Sequence, residues 1–260
     1  MGEVIVVTSG KGGVGKTTTT ANIGTALAKL GKSVVLVDGD IGLRNLDLVM
    51  GLENRIVFDL VDYVEDKCRL NQCLIKDKRF PDLSIIPAAQ TKDKNAVTPE
   101  QMKKLCKELK EKFDFVIIDC PAGIEQGFKN AVAGAEKAIV VAIPEVSSIR
   151  DADRIIGLLY AEGIENPVLV VNRTRPDMIK KNDMLDIEDT RELLGIELLG
   201  SIPEDSCIIE ASNSGEPAVT NPNSKAGKAY DNIARKLAGM EIIEEDNGFL
   251  AKLKKLFSKK

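Results

Sequence analysis

The stretch that decides the fold is EVIVVTSGKGGVGKTTTT, residues 3–20. Its first six residues are dominated by β-branched apolar side chains, which indicates a buried strand of a parallel sheet. A glycine-rich loop follows at once, and residues 17–30 then show the apolar spacing of a helix. A strand, a glycine-rich turn and a helix in this order favour an α/β fold with a doubly wound sheet.

The rest of the chain continues this alternation of strands and helices. Further strands are predicted at 33–38, 83–87, 113–119, 138–143, 167–172 and 197–202. The predicted helices are 17–30, 99–112, 148–161, 186–194 and 224–238. The expected fold is a doubly wound, mostly parallel sheet flanked by helices. Ligands of such sheets bind beyond the carboxyl ends of the strands, so function is expected in the loops that follow them.

The loop after the first strand satisfies two motifs. As G-x-G-x-x-G, with Asp38 ending the second strand, it would bind a dinucleotide. As G-x-x-x-x-G-K-[ST] it is a phosphate loop, in which Lys16 reaches the β- and γ-phosphates and Thr17 binds Mg²⁺. The Lys16–Thr17 pair decides for the phosphate loop of a P-loop NTPase, because a dinucleotide does not need that cation and hydroxyl. The candidate nucleotide-binding residues are Gly10, Lys11, Gly12, Gly13, Val14, Gly15, Lys16, Thr17 and Thr18.

Three aspartates follow strands near this loop. DFVIIDCPAG, residues 114–123, delivers Asp119 at a strand end, where it can hold Mg²⁺ through a water. Gly123 leaves the next loop able to change shape with the γ-phosphate. Asp38 and Asp40 are two apart on a segment predicted to be extended, so both should project toward the phosphate loop. They could position water and metal there, or simply cap and turn the chain.

Lys11 exceeds the needs of an ordinary phosphate loop. With it, KGGVGKT (residues 11–17) resembles the deviant Walker A motif of the MinD/ParA family of ATPases. The resemblance implies that Lys11 crosses an ATP-bound homodimer to touch the partner's phosphates, which would tie hydrolysis to dimerisation. It also implies that Asp40 orients the attacking water and that Asp38 lies near the metal.

Several further stretches extend the resemblance along nearly the whole chain and favour the division-site members of the family. They are NQCLIKDKR (71–79), IPAAQTKDK (86–94), PAGIEQG (121–127), PEVSSIRDADRI (144–155) and IPEDSCIIEASNSGEPA (202–218). By this resemblance, Asp151 and Asp153 contact the division inhibitor MinC, and MinE or a polar anchoring system where one exists. The implied purine-contacting residues are Asn172, Arg173, Pro203, Glu204 and Asp205.

The chain ends in GFLAKLKKLFSKK, residues 248–260, which has five lysines and no acid. On a helix its large apolar residues form one stripe, with Lys252 and Lys255 beside it. That pattern predicts an amphipathic segment bound to an anionic membrane surface, the alternative being a helix packed on its own domain. The stripe consists of Phe249, Leu250, Leu253, Leu256 and Phe257. The predicted divisions are an ATPase domain (1–238), an acidic linker (239–248) and a membrane-targeting segment (249–260).

Composition narrows the function further. The chain has no histidine, which excludes Ser–His and Cys–His nucleophiles and makes a zinc site improbable. Five scattered cysteines fit reduced thiols in the cytoplasm. The start lacks the pattern of a signal peptide, and no stretch approaches the roughly 20 apolar residues of a membrane span. The overall charge is −4, so residues 1–247 carry about −9, which disfavours nucleic acid as a partner.

These observations predict a slow, Mg²⁺-dependent ATPase that dimerises with ATP. It would lie in the cytoplasm, peripheral to the cell membrane, and recruit MinC to control septum placement. A DNA-partitioning ATPase of the ParA type is the first alternative, but it needs an extended basic surface. A flagellar-number regulator is the second, although such proteins usually carry an amino-terminal extension.

Overall fold

The computed structural model describes residues 2–243, so the predicted membrane-targeting segment (249–260) and half of the predicted linker (244–248) lie outside the described residues. The described part contains one eight-stranded sheet, with the order β3-β4-β2-β5-β1-β6-β7-β8. All neighbouring strands are parallel except β3 and β4. The strands are β1 Glu3–Thr8, β2 Val34–Asp38, β3 Ile75–Lys76, β4 Leu83–Ile86, β5 Phe115–Asp119, β6 Lys137–Ala142, β7 Val168–Thr174 and β8 Glu197–Pro203.

Helices cover both faces of this sheet. They are α1 Lys16–Lys29, α2 Leu46–Val49, α3 Leu60–Val64, α4 Leu70–Cys73, α5 Pro99–Lys110, α6 Gln126–Ala133, α7 Val146–Ala161, α8 Pro176–Ile179, α9 Ile187–Leu194, α10 Cys207–Ser214 and α11 Lys225–Leu237. Local chemistry fixes several of their starts. Thr98 and Gln101 form a capping box at α5, while Ser224 caps α11 through the Gly227 amide.

Two apolar cores lie on opposite faces of the sheet. Alternate residues of β1 serve different cores: Val4 and Val6 face α5, α6, α7 and α9, whereas Ile5 and Val7 face α1 and α11. Full burial of such side chains stabilises the fold by about 1.5–3 kcal/mol each. Burial on both faces explains why the central strands read as continuous apolar runs.

The structure confirms the predicted fold class, with all seven predicted strands and all five predicted helices found within a few residues of their predicted bounds. Sequence reasoning missed the antiparallel edge strand β3 and six short helices. Four of these helices have five residues or fewer, which is too short for a period of 3.6 to become visible.

Residues 239–243, beyond α11, are exposed but hydrogen-bonded to that helix. The Met240 amide donates to the Arg235 carbonyl at 2.8 Å. The Asn232 side chain accepts from the Ile243 amide at 2.8 Å and donates to the Ile243 carbonyl at 3.0 Å. These hydrogen bonds connect the exposed residues 239–243 to α11. No helix between residues 2 and 243 is long and apolar enough to cross a bilayer.

Candidate functional site

The glycine-rich loop joins β1 to α1 at the centre of the sheet, beyond the carboxyl end of β1. Gly15 precedes the first helical residue with φ 99°, in the left-handed region that side chains rarely adopt. A Cβ at this position would also lie 2.5 Å from Asn172 Nδ2. The loop thus requires glycine here on two grounds, and it presents the backbone amides at the start of α1 to an anion.

The two lysines of the loop occupy different surroundings. Lys16 is 8% exposed, and its Nζ donates to Ser9 Oγ at 3.0 Å. Lys11 instead points outward: its Nζ lies 3.3 Å from Ser147 Oγ and 3.5 Å from Glu145 Oε2, and its side chain is 41% exposed. Lys16 therefore faces the space within the loop, whereas Lys11 lies at the rim beside the start of α7.

The predicted metal-side carboxylates converge next to the loop. The register of β2 on β5 places Asp38 directly opposite Asp119. Thr20 Oγ1 donates to Asp119 Oδ1 at 3.3 Å, which joins that carboxylate to α1. The structure thus brings Asp38 and Asp119 together with Thr17, which also hydrogen-bonds Asp119.

The extended segment predicted through Asp40 ends at Asp38 instead. Asp38 Oδ1 accepts from the Asp40 amide at 3.0 Å, and Oδ2 accepts from the Leu46 amide at 3.3 Å. An aspartate that binds the amide two residues on makes an Asx turn, which redirects the chain. Asp38 therefore makes the turn, one of the two roles that the sequence left open. It also lies beside Asp119, where it could serve the other role of positioning water and metal.

The carboxyl groups of this cluster have raised pKa values. Burial raises the pKa of Asp38, and the neighbouring Asp119 carboxylate raises it further. Burial also raises the pKa of Asp119, although Thr17 and Lys16 oppose that shift while Asp40 adds to it. Buried carboxylates that resist ionisation fit a site completed by a cation.

A magnesium ion fits this arrangement only together with other ligands. Among residues 2–243, no group of three or more Asp, Glu, Cys or His side chains is placed to hold a metal by itself. Mg²⁺ usually keeps several waters and is bound by one or two protein groups plus substrate phosphates. Thr17, Asp38 and Asp119 next to a phosphate loop match that requirement, and they are the residues that would hold it.

Substituting Asp119 with asparagine should therefore stabilise the nucleotide-free protein at pH 8, by about 1–2 kcal/mol. Because the folded pKa is raised, the protonated carboxyl stabilises the fold fully below its unfolded pKa, and this contribution is lost as the pH rises through the folded pKa. The gain from Asp119→Asn should shrink toward pH 4, as followed by urea unfolding. The exposed Asp82→Asn is the control. A destabilised Asp119→Asn protein at pH 8 would contradict the raised pKa of the buried Asp119 carboxyl.

The five predicted purine-contacting residues line a single cavity of about 220 Å³ beside the loop. Asn172 Nδ2 donates to the Val14 carbonyl at 2.7 Å, which ties the end of β7 to the phosphate loop. Burial alone would raise the pKa of Asp205, but hydrogen bonds from Ala226, Ser224 and Cys207 lower it to about 2. The Asp205 carboxylate is thus engaged at the start of α11. The other residues that line the cavity are Gly15, Thr18, Ile208, Ile209 and Tyr230.

The remaining predicted positions lie apart from this cavity. Asp153 is exposed on α7, and Asp151 is half-buried, with its backbone packed against Gly10 of the loop. Gly123, predicted to free its loop, has φ 98°. The predicted membrane-binding residues lie outside the described range.

Sequence reasoning missed several residues of the site. Ser9 lies within the quoted loop, and the small hydroxyl beside the glycines was a signal that could have identified it as the partner of Lys16. Glu145 and Ser147 hold Lys11 from 134 and 136 residues away, and Ile208 closes the base cavity. The fold brings these residues together from distant parts of the chain, so no local sequence pattern predicts the contacts.

Comparison with known proteins agrees with this geometry. Residues 5–218 match the CobQ/CobB/MinD/ParA nucleotide binding domain. The septum site-determining protein MinD of Bacillus subtilis is 61% identical over 264 residues, which cover 99% of this chain and 98% of the relative.

Solved structures show the same likeness in three dimensions. The MinC:MinD cell division protein complex of Aquifex aeolicus superposes with a TM-score of 0.87 at 48% identity, covering 94% of this chain and 98% of that one. The septum site-determining protein MinD of Pyrococcus horikoshii, solved with Mg-ADP, gives 0.83 at 32% identity, covering 91% and 96%. On these matches, and on the phosphate loop with its second lysine, the chain belongs to the CobQ/CobB/MinD/ParA family and, within it, to the septum site-determining MinD proteins.

Proposed function

We propose that this chain is a Mg²⁺-dependent ATPase that dimerises with ATP, binds the cytoplasmic face of the cell membrane and recruits MinC to control septum placement. The observation that carries the proposal is the division of labour between the two loop lysines. Lys16 is buried beside Ser9, whereas Lys11 lies exposed at the rim. Only a residue at the rim is available to the phosphates of a second subunit.

The chemistry follows from the placement of the side chains. The loop amides and Lys16 would bind the β- and γ-phosphates, Thr17 would bind the metal, and Asp119 would hold it through a water with Asp38 close by. Bound Mg²⁺ would neutralise part of the charge on the phosphate oxygens. Asp40 would orient the attacking water, and the hydrogen bond from its backbone amide to Asp38 would fix its position. Lys11 from the partner would stabilise charge on the transferring group, as an arginine finger does.

Relatives support the cellular part of the proposal. The Aquifex protein was solved in a complex with MinC, and Asp153 offers an exposed carboxylate on α7 where such a partner can bind. The basic, apolar end of the chain has the composition of a membrane-surface segment.

The substitution Asp40→Asn tests both the hydrolysis and the dimer. It should lower kcat for ATP about 10²-fold, because water positioning supplies most of the acceleration in this chemistry. ADP affinity should change by less than about twofold, since the proposed role of the carboxylate is to orient the water that attacks the γ-phosphate, which ADP lacks. In sedimentation velocity with Mg-ATP, the variant should stay dimeric for longer than the parent and Asp82→Asn. A monomer in ATP, or unchanged kcat, would refute the proposed roles.

A further inference from the structure

Two short helices meet end to end on the face of the sheet that carries α1. Gly51 lies two residues beyond the end of helix α2 and Gly215 directly follows helix α10, with φ values of 64° and 66°. The two glycines are in contact: a Cβ on Gly215 would lie 2.6 Å from Gly51 Cα, and one on Gly51 would lie 2.7 Å from the Gly215 carbonyl oxygen. The backbones can approach this closely only because neither residue has a side chain.

Arg79 joins the two helix ends across this contact. Its Nη2 donates to the Met50 carbonyl at 2.8 Å and its Nη1 donates to the Gly215 carbonyl at 3.0 Å. Both acceptors are carbonyls at helix carboxyl ends, where a cation is favourable. We refer to Arg79, Met50, Gly51 and Gly215 as the helix junction.

A buried carboxylate fixes the direction of Arg79. Asp77 is 3% exposed, and its Oδ2 accepts from Arg79 Nη2 at 2.8 Å while its Oδ1 accepts from Nε at 3.2 Å. Oδ1 also accepts from the Arg79 amide at 2.6 Å. A bidentate pair of this kind holds the guanidinium in one orientation. The Arg79 side chain is therefore already ordered to donate to the Met50 and Gly215 carbonyls.

The other ends of the two helices lie at opposite ends of the nucleotide site. Helix α2 begins at Leu46, whose amide donates to Asp38 beside Asp119. Helix α10 begins at Cys207, capped by Asp205, and its next residue, Ile208, lines the base cavity. The helix junction is therefore a short, hydrogen-bonded route between the base cavity and the carboxylates at the phosphate end.

We propose that Arg79 is a positioning residue that couples filling of the base cavity to the ordering of residues 38–50, and so to the rate of hydrolysis. This rests on the function proposed above, but the coupling itself is a property of the helix junction. Contact of the purine with Ile208 steadies α10, and Arg79 transmits that restraint to α2 and to the turn that carries Asp40. A nucleotide lacking a well-held base would be bound yet hydrolysed more slowly.

The kinetic test is a double-mutant cycle of Ile208→Ala with Arg79→Gln. In the parent, Ile208→Ala should raise KM and lower kcat, the latter about fivefold. In the Arg79→Gln background, Ile208→Ala should still raise KM but lower kcat no further, because the coupling has already been lost. Arg55→Gln is the matched control, since Arg55 donates to the Lys76 carbonyl and not to the helix junction. Effects on kcat that multiply independently would overturn the proposal.

A second measurement does not depend on hydrolysis. ADP in EDTA should slow amide hydrogen exchange of residues 46–50 about threefold in the parent and in Arg55→Gln, but not in Arg79→Gln. Gly215→Ala should reproduce the Arg79→Gln result, because the added methyl group separates the helix ends while every charge stays in place. Equal protection in all four proteins would overturn the coupling. Absence of ATP hydrolysis in the parent would instead refute the proposed function and leave this measurement to decide on Arg79.

Discussion

Replacing Lys16 with alanine should lower kcat/KM for ATP about 10³-fold, the largest effect of any single substitution in the phosphate loop. Lys16 is buried and its Nζ donates to Ser9 Oγ, so its charge is poorly screened by water and available to the phosphates. Removing it takes away the cation that reaches the β- and γ-phosphates, which no neighbouring side chain replaces. Steady-state phosphate release measures the loss.

The control is Lys103→Ala, an exposed lysine on α5 away from the site. It should retain the parent rate, and both variants should unfold at about the parent's urea midpoint. Nucleotide-dependent dimerisation should disappear in Lys16→Ala alone. A Lys16→Ala protein that still hydrolysed ATP and responded to it fully would show that the phosphate loop has been misassigned.

Deleting residues 248–260 should reduce binding to anionic vesicles about 10²-fold or more while leaving ADP affinity unchanged. Each lysine near anionic lipid contributes about 1 kcal/mol, and the apolar stripe adds burial in the acyl boundary. Two copies in one dimer would bind as a unit, so the parent should sediment with vesicles more strongly in ATP than in ADP.

Vesicles of neutral lipid and a DNA fragment serve as controls for this deletion. Replacing Lys252 and Lys255 with glutamate should weaken binding to anionic vesicles and barely alter the residual binding to neutral ones. Membrane binding that survived the deletion would place the anchor elsewhere in the chain. ATP-dependent binding to DNA, with none to vesicles, would favour the partitioning function instead.

The fold and the phosphate end of the site were accessible from sequence because their signals are local. The strand before Ser9 and the helix after Gly15 are read from neighbouring residues, and the Lys16–Thr17 pair requires no knowledge of the fold. Asp119 was equally accessible, since a parallel sheet brings strand ends to one edge.

Other features depend on contacts between segments that are apart in the sequence, and no local sequence pattern predicts them. Asp38 Oδ2 accepts from the Leu46 amide, eight residues away, and the helix junction brings Arg79 to Gly215 across 136 residues. Strand β3, with two residues, exists only as a partner of β4. The base cavity was placed through resemblance, since its residues come from separate strands and helices of the chain.

The contact of the loop residue Lys11 with the start of α7 has a thermodynamic consequence. The residues that hold it, Glu145 and Ser147, begin the same helix that presents Asp153. If Lys11 leaves them for a partner's phosphate, the amino end of α7 loses two contacts as the dimer forms. A protein that binds α7 and prefers one of these arrangements must, by linkage, change the affinity of the two subunits for each other by the same factor. Recruitment of a partner and the stability of the dimer would then both depend on the same equilibrium, the release of Lys11 from the start of α7.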